Sequence, residues 1–543
     1  MTSRTARPTP TTPTTRATRT ARTARRVAAG TLAALTLLAG CTLGPSQRPG
    51  LAVYGDGPAT TTVGPTTTSA VGPGGPGQRA APIRWERCPD VADTDPTTGQ
   101  EFTVDCATVL TDGSAVGGAG QRGIEIARAR ASGVADDAPV LVVLQGSPGA
   151  HGRSDVAAVA AGLSPAVRQH FAVVTVDLVG SGDSDPIDCV SGSDLSAVTN
   201  LGADPAEPRA AQALADVTRS ITFECTDAGG PGLSLVNSTE AADDLDHLRA
   251  ALGTDRLTLL GRGFGATLGA VYADRYPARV QSAVLDAPSN PPDSADTRAT
   301  AVAVATEKAL DTFAAACPTF AGGCPLGDDP RAAVEQVVQR LDSSTTPGGR
   351  RTTGGTVLLT LLLRLGDPDG WPQLAAALAA AGQGNTGPLT DLLAVALGQD
   401  PAARAATGWF DPTLIYACND SAVRLTGNSL TTAIEDSRAQ APLFGPYAIG
   451  LVGLCGSWPA PESALGTVKA NGAAPILVIG AVADPVAPYA AVRTLAGQLS
   501  SSTLLSWQSG RHGSYPASAC VSAAVEGYLL TQQLPPVGTL CPP

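Results

Sequence analysis

The chain has 543 residues, 43% of them hydrophobic, and a formal net charge of −12 at pH 7. Such a length exceeds one small domain and can bury a sizeable core. The acidic balance makes nucleic acid a poor partner, because phosphate binding requires clustered Lys and Arg.

The N-terminal segment is typical of an export signal. Residues 1–26 are rich in Thr, Pro and Arg, and Val27–Leu38 is an apolar segment too short for a comfortable membrane span. Leu38-Ala39-Gly40-Cys41 follows and resembles the bacterial lipobox. We therefore predict a lipoprotein signal peptide over residues 1–40 and lipidation of Cys41. An ordinary signal peptide with a coincidental cysteine is the alternative.

Residues 41–82 are predicted to be the lipidated cysteine and a tether. The segment consists largely of Gly, Pro, Thr and Ser. Because it has too little apolar surface to offset the entropy of ordering, we expect it to be disordered. The predicted location is extracytoplasmic, with the lipid anchor as the sole attachment to the outer face of the cell membrane.

The cysteines indicate an oxidising compartment. There are eleven, and none forms a Cys-x-x-Cys pair, which makes a zinc or thioredoxin-type site improbable. Without Cys41 ten remain, an even number suited to disulfides. The pairs that we expect are Cys88–Cys106, Cys189–Cys225, Cys317–Cys324, Cys418–Cys455 and Cys520–Cys541. We expect no metal and no cofactor.

Buried strands alternate with helices in the first part of the predicted core, residues 83–290. Ile124–Ala129 alternates like a half-buried strand, whereas Val140–Leu144 and Phe171–Val176 are continuously apolar, as central parallel strands are. A predicted helix over Glu240–Leu252 leads to the strand Leu257–Leu260. This pattern favours an α/β fold with a doubly wound, mostly parallel sheet.

A turn with three glycines follows that strand. Gly261-Arg262-Gly263-Phe264-Gly265 lies between a strand and a helical pattern, the context of the G-x-S-x-G nucleophile elbow. Gly263 occupies the serine position of that motif. Glycine has no atom that can attack a carbonyl group, so the turn has a nucleophile position that is chemically inert.

Helices dominate residues 291–461, which we predict to form a cap inserted into the sheet domain. Strand patterns return in residues 462–543, the C-terminal part of the core. Asp484 and then His512 each follow a late strand, the order expected after an elbow in α/β-hydrolases. In that machinery His512 is the general base and Asp484 orients it. Taken singly, Asp484 is also a plausible turn acid and His512 a plausible loop histidine.

Two backbone N–H groups are the expected oxyanion donors. One belongs to Phe264, directly after the elbow centre, and the other to Ser147 in the loop after Val140–Leu144. Backbone donors persist when side chains change.

These motifs together resemble the secreted actinobacterial tripeptidyl aminopeptidases, which are related to proline iminopeptidases. The resemblance extends from Ile83 through Gln145–Gly152 and Asn237–Pro291 to His512, and it includes the tail Leu534–Cys541. It implies an α/β-hydrolase core with a helical cap, and release of short peptides from free N-termini through a serine acyl-enzyme. The implied partner is a peptide or a small acyl compound.

Two departures from that family determine the functional hypothesis. Gly263 replaces the family serine, and Ser147, Ala150 and His151 stand where the family usually has Gly, Gly and Ser. We therefore expect a catalytically degenerate hydrolase. The alternatives are hydrolysis through activated water or a relocated Ser147 nucleophile, with His512 and Asp484, and a cell-surface lipoprotein that binds peptides. Asp420 is a candidate for recognising a peptide amino group, with cap stabilisation as its alternative role.

Overall fold

The computed structural model describes residues 83–114, 121–343, 352–399, 408–461 and 464–543. The predicted signal peptide, the lipidation site at Cys41 and the tether lie outside these residues. Within the described part of the chain, no helix has both the length and the hydrophobicity that a membrane crossing requires.

A single sheet of ten strands organises the described chain. Its spatial order is β1-β2-β3-β5-β4-β6-β7-β8-β9-β10. Pairing is antiparallel from β1 to β5 and parallel from β5 to β10. The strands are β1 (Glu86–Arg87), β2 (Phe102–Ser114), β3 (Gln121–Ala131), β4 (Val140–Leu144), β5 (Ala172–Val176), β6 (Leu257–Arg262), β7 (Val280–Asp286), β8 (Ile476–Ala481), β9 (Ser502–Trp507) and β10 (Leu540–Cys541).

Helices cover both faces of this sheet, which explains why its central strands are apolar throughout. In β4, Val142 and Leu144 belong to one buried cluster, whereas Leu141 and Val143 belong to another. Successive residues of a strand point to opposite faces, so a strand buried on both sides needs apolar residues at every position.

The helices between β4 and β7 connect the strands of the first part of the core. Local capping defines some of their ends: Asn237 accepts the amides of Thr239 and Glu240 at the start of α5. The helices are α1 (Val156–Ala161), α2 (Pro165–His170), α3 (Gly192–Thr199), α4 (Pro208–Gly229), α5 (Ser238–Ala251) and α6 (Phe264–Arg275).

A helical segment separates β7 from β8. Between these strands the described residues form helices and no strand. Its buried residues, such as Leu310 and Phe313, belong to the same apolar cluster as one face of the sheet. The helices are α7 (Ala295–Ala316), α8 (Pro330–Ser343), α9 (Gly354–Arg364), α10 (Trp371–Gly382), α11 (Gly387–Ala396), α12 (Phe410–Asn419), α13 (Gly427–Gln440) and α14 (Gly445–Val452).

The C-terminal part returns to the sheet. Two helices follow β8 and β9, namely α15 (Tyr489–Gln498) and α16 (Ala519–Thr531). Together with the mostly parallel sheet and the strand–turn–helix at Gly263, this arrangement is the α/β-hydrolase fold, and the predicted fold class is confirmed. The sequence patterns missed β2, the longest strand, and its antiparallel edge of the sheet.

The ten described cysteines form five disulfides. They are Cys88–Cys106, Cys189–Cys225, Cys317–Cys324, Cys418–Cys455 and Cys520–Cys541, the pairs named from the sequence. The first joins the residue directly after β1 to β2, and the last joins α16 to β10. The disulfides therefore secure both edges of the sheet and several helices, as is typical of proteins outside the cytosol.

Candidate active site

Gly263 lies between β6 and α6 in the backbone conformation of a nucleophile elbow. Its φ is +50° and its ψ is −116°, a region that side chains rarely adopt. The amide of Gly263 donates to Asp286 O at 2.9 Å. An ideal Cβ built on Gly263 would lie 3.5 Å from His512 Nε2. A side chain at this position would therefore point towards the histidine.

The flanking glycines allow β6 and α6 to approach closely. A Cβ on Gly261 would overlap the backbone of Gly265, and a Cβ on Gly265 would overlap the backbone of Leu144. No side chain fits at either position without displacing main chain. The three glycines thus serve two purposes, close packing at Gly261 and Gly265 and positive φ at Gly263.

Asp484 and His512 form a hydrogen-bonded pair beside the elbow. Asp484 Oδ2 lies 2.9 Å from His512 Nδ1, and the Asp484 side chain is fully buried. The other oxygen, Oδ1, accepts the amides of Val486 at 2.8 Å and Ala487 at 3.0 Å. A carboxylate fixed in this way orients the ring so that Nδ1 donates to it and Nε2 faces Gly263.

Opposing effects determine the charge of His512. Burial lowers its pKa, but the negative charge and the hydrogen bond of Asp484, with a further contribution from Asp286, raise it, and the net pKa is above the ordinary value. These carboxyl groups therefore make the ring a stronger base than a free imidazole. A general base in a serine mechanism benefits from the same effect, because the ring becomes positive as it accepts the proton.

The N–H of Phe264, expected to be an oxyanion donor, is bonded within the protein. It donates to Gly146 O at 3.2 Å, and the neighbouring amide of Gly265 donates to Gln145 O at 2.9 Å. The same Gly146 oxygen would lie 3.1 Å from a Cβ on Gly263. A carbonyl group therefore faces the elbow, where a serine hydrolase needs a free donor.

Ser147 is held by the helical segment. Its Oγ lies 2.9 Å from Thr413 Oγ1, while the Thr413 hydroxyl donates to Trp409 O at 2.7 Å. Since the single hydrogen of Thr413 is used in that bond, Ser147 is the donor to Thr413. Among the described residues no hydrogen bond joins Ser147 to His512.

Residues of the helical segment cover the site. The His512 amide donates to Gly366 O at 2.8 Å, and Arg511 is paired with Asp367 and Asp369. The cavity beside Phe264, also lined by Gln145 and Ser147, has a volume of about 10 Å³. That volume suits about one water molecule.

A larger cavity lies elsewhere in the helical segment, between α7 and α13. Its volume is about 720 Å³, and its lining includes Asp296, Thr300 and Asp436. Asp296 Oδ1 is buried there with no hydrogen-bond partner in the described part of the chain. None of the proposed catalytic positions lines this cavity.

Asp420 joins the helical segment to the core. Its Oδ1 accepts the Ser238 amide at 2.8 Å and its Oδ2 accepts the Ser238 hydroxyl at 2.6 Å. Both oxygens therefore have partners at the start of α5. The geometry favours the stabilising role over recognition of a peptide amino group.

The sequence patterns did not single out Thr413 or Asp286 as site residues, and they indicated Gly146 only as part of the loop expected to supply an oxyanion donor. Asp286 is an acid at the end of a strand beside the elbow strand, which is a recognisable signal. The contacts of Gly146 and Thr413 depend on packing between distant segments and left no local pattern.

Comparison with known proteins confirms the resemblance to tripeptidyl aminopeptidases. Residues 441–541 match the family model described as TAP-like protein. Serine protease Hip1 of Mycobacterium tuberculosis is 29% identical over 426 residues, which cover 74% of this chain and 80% of that protein. Tripeptidyl aminopeptidase of Streptomyces lividans is 25% identical over 398 residues, covering 68% and 70% respectively.

Solved structures of hydrolases are also similar. Proline iminopeptidase of Mycobacterium smegmatis is 15% identical, with a TM-score of 0.32 and coverage of 75% of this chain and 94% of that one. Esterase E22 is 14% identical, with a TM-score of 0.35 and coverage of 78% and 100%.

Proposed function

We propose that the chain is an exported, lipid-anchored relative of the TAP-like serine hydrolases that has lost covalent serine catalysis. The carrying observation is Gly263, which has the φ of an elbow residue and would place a Cβ 3.5 Å from His512 Nε2. In a serine protease, removing the nucleophile costs about 10⁶ in kcat. The same loss is expected here because no side-chain atom occupies the attacking position.

A second observation supports this proposal independently of residue 263. The Phe264 amide is bonded to Gly146 O, so one of the two expected oxyanion donors is not free. Loss of one such donor costs about 10²–10³ in kcat. The carbonyl group that binds this amide belongs to the loop that also differs from the family in sequence, at Ser147.

Residual hydrolysis by water is the first alternative. His512 retains its Asp484 partner, and its Nε2 faces Gly263. Such a base can activate a water molecule for direct attack, without an acyl-enzyme. A relocated Ser147 nucleophile is less well supported, because its hydroxyl donates to Thr413.

Peptide binding without turnover is the second alternative, and the cavity between α7 and α13 favours it. Its volume of about 720 Å³ lies within the usual range for ligand sites. The carboxylates of Asp296 and Asp436 suit an amino group. Calorimetric titration with tripeptides, compared between the wild type and Asp436→Asn, tests this alternative. Equal heats of binding in both proteins would count against it.

The deciding experiment restores the missing group. Wild type, Gly263→Ser and Gly263→Ser combined with Ser147→Gly are treated with a serine-reactive fluorophosphonate and assayed on N-terminal tripeptide amides. We expect no labelling of the wild type, and weak labelling and turnover with Gly263→Ser. We expect more labelling and turnover in the double variant, in which residue 147 no longer bonds to Thr413. Labelling and turnover of the wild type at serine-hydrolase rates would refute the proposal.

A further inference from the structure

Asp286 connects the two loops of the site. It is the last residue of β7, paired with Arg262 on the elbow strand and with Ile479 on the strand that precedes Asp484. Its backbone carbonyl accepts the Gly263 amide at 2.9 Å. The main chain of Asp286 therefore helps to hold the elbow in its conformation.

The Asp286 side chain holds the histidine loop. It is fully buried, and its Oδ2 accepts the amides of Ser514 at 2.7 Å and Tyr515 at 2.9 Å. Ser514 lies two residues after His512, and Gly513 between them has a φ of +81°. Fixing these two amides fixes the direction in which the chain leaves His512.

One oxygen of Asp286 is not used in these bonds. Among the described residues, its Oδ1 is buried without a hydrogen-bond partner. Burial raises the pKa of Asp286, while the two amide donors and the positive charges of Arg262 and His512 oppose that rise. Asp286 in turn contributes, after Asp484, to the raised pKa of His512.

Several charged groups surround His512 and must be considered together. Asp484 faces the ring from the loop after β8, and Asp286 acts on it from β7. On β6, Arg262 acts on Asp286. Asp367 and Asp369, on the loop after α9, are paired with Arg511, the neighbour of His512.

We propose that Asp286 is a positioning residue for His512, which aligns the histidine loop with the elbow and acts electrostatically on the imidazole. The role rests on the proposed function only in placing His512 at the triad position. It accounts for a buried acid that the hydrogen bond between His512 and Asp484 leaves unexplained.

Asp286→Asn tests this role in the otherwise unaltered protein. Asparagine keeps one carbonyl oxygen for the Ser514 and Tyr515 amides and removes the charge. We expect the pKa of His512, followed by NMR of the imidazole, to fall while near-UV circular dichroism stays unchanged. A purely structural role would leave that pKa where it is, and an unchanged pKa in folded Asp286→Asn would overturn the proposal.

Asp177 provides a matched control. It follows β5, is buried, and accepts the amides of Arg153 at 2.8 Å and Asp183 at 2.9 Å. The histidine whose charge acts on it is His151. Asp177→Asn should therefore leave the pKa of His512 unchanged, although it loses one acceptor oxygen. An equal fall in both variants would also overturn the proposal.

A measurement on the wild type keeps the test decisive if Asp286→Asn does not fold. The carboxyl ¹³C shift of Asp286 and the imidazole shifts of His512 are followed across pH. Coupled groups are expected to share an inflection, and two independent curves would refute the role. Turnover by the wild type would refute the proposed function instead and leave this titration unaffected.

Discussion

At position 263 the backbone and the side chain meet different requirements. The turn from β6 to α6 imposes a φ of +50°, which glycine adopts with little strain. The chemistry of the site requires a hydroxyl group at the same residue. Glycine satisfies the first requirement but cannot meet the second, so the elbow persists without its nucleophile.

Gly263→Ala should destabilise the protein. A methyl group at this φ costs about 1–3 kcal/mol, and the added Cβ would lie 3.1 Å from Gly146 O. Urea unfolding should therefore show a lower free energy of unfolding. This variant should also remain unlabelled by the fluorophosphonate, which makes it the negative control for Gly263→Ser.

Gly497→Ala is the matched substitution. Gly497 lies within α15, and a Cβ there would have no neighbour within 4 Å. Alanine in a helix is favoured over glycine by about 0.5–1 kcal/mol, so this variant should gain stability. Similar effects at both positions would contradict the strain assigned to Gly263.

Contacts between distant elements position the site. Asp420 caps α12 and binds the first residue of α5, Ser238. Burial raises the pKa of Asp420 to about 6, against the hydrogen bonds from Ser238 and the charge of Arg298. This junction therefore combines a structural contact with a titrating group.

Replacement of Asp420 by Asn should flatten part of the pH dependence of stability. The folded pKa of about 6 exceeds the unfolded value of about 3.9. The protonated acid thus contributes stability that is complete below about pH 4 and is lost as the pH rises to about 6. Free energies of unfolding at several pH values should show this slope in the wild type and a smaller one in Asp420→Asn.

The same experiment has an internal reference. Burial also raises the pKa of Asp244 to about 6, and that acid is present in both proteins. The difference between the two curves therefore isolates Asp420. Parallel curves would mean that Asp420 does not titrate in this range.

The disulfides of the helical segment should differ in their effect on stability. Cys418–Cys455 spans 37 residues of sequence and Cys317–Cys324 spans 7. Loop-closure entropy gives stabilisation of about 4 kcal/mol for the first and about 2 kcal/mol for the second. Thermal unfolding of the two double Cys→Ser variants should show the larger loss for the longer loop, and the reverse order would exclude loop entropy as the main cause.

Across the whole molecule, the helical segment covers the sheet at the carboxyl ends of its strands. Gly366 contacts His512 and Thr413 contacts Ser147, so the enclosed site combines residues from both parts. Five disulfides secure the described chain. They agree with an extracytoplasmic location, whereas the lipid anchor remains a proposal that rests on Leu38–Cys41.

Cys41→Ser should abolish membrane attachment. If Cys41 carries the lipid, the protein expressed in a bacterial host partitions into the detergent phase of Triton X-114, and the variant moves to the aqueous phase. Thr42→Ser, which leaves Cys41 in place, should behave as the wild type. A Cys41→Ser protein that stays in the detergent phase would refute the anchor.

Sequence patterns by themselves determined the fold class and the positions of Gly263, Asp484 and His512. Continuous apolar strands, a glycine-rich turn and the order of acid and histidine are local signals, because burial on both faces and positive φ restrict the residues within a few positions. Strand β2, second from the antiparallel edge of the sheet, was not predicted, since its residues do not form a continuous apolar run. Pairing with β3 rather than local pattern defines it.

Only the tertiary structure decided which groups meet. The bond of Phe264 to Gly146 O, that of Ser147 to Thr413 and the contact of Asp286 with the histidine loop join segments far apart in the chain. Such contacts depend on backbone direction and on packing between elements, which residue type and spacing do not specify. The sequence alone therefore located the position of the absent nucleophile. Packing determined that one of the expected oxyanion donors, the Phe264 amide, is bonded to a backbone carbonyl.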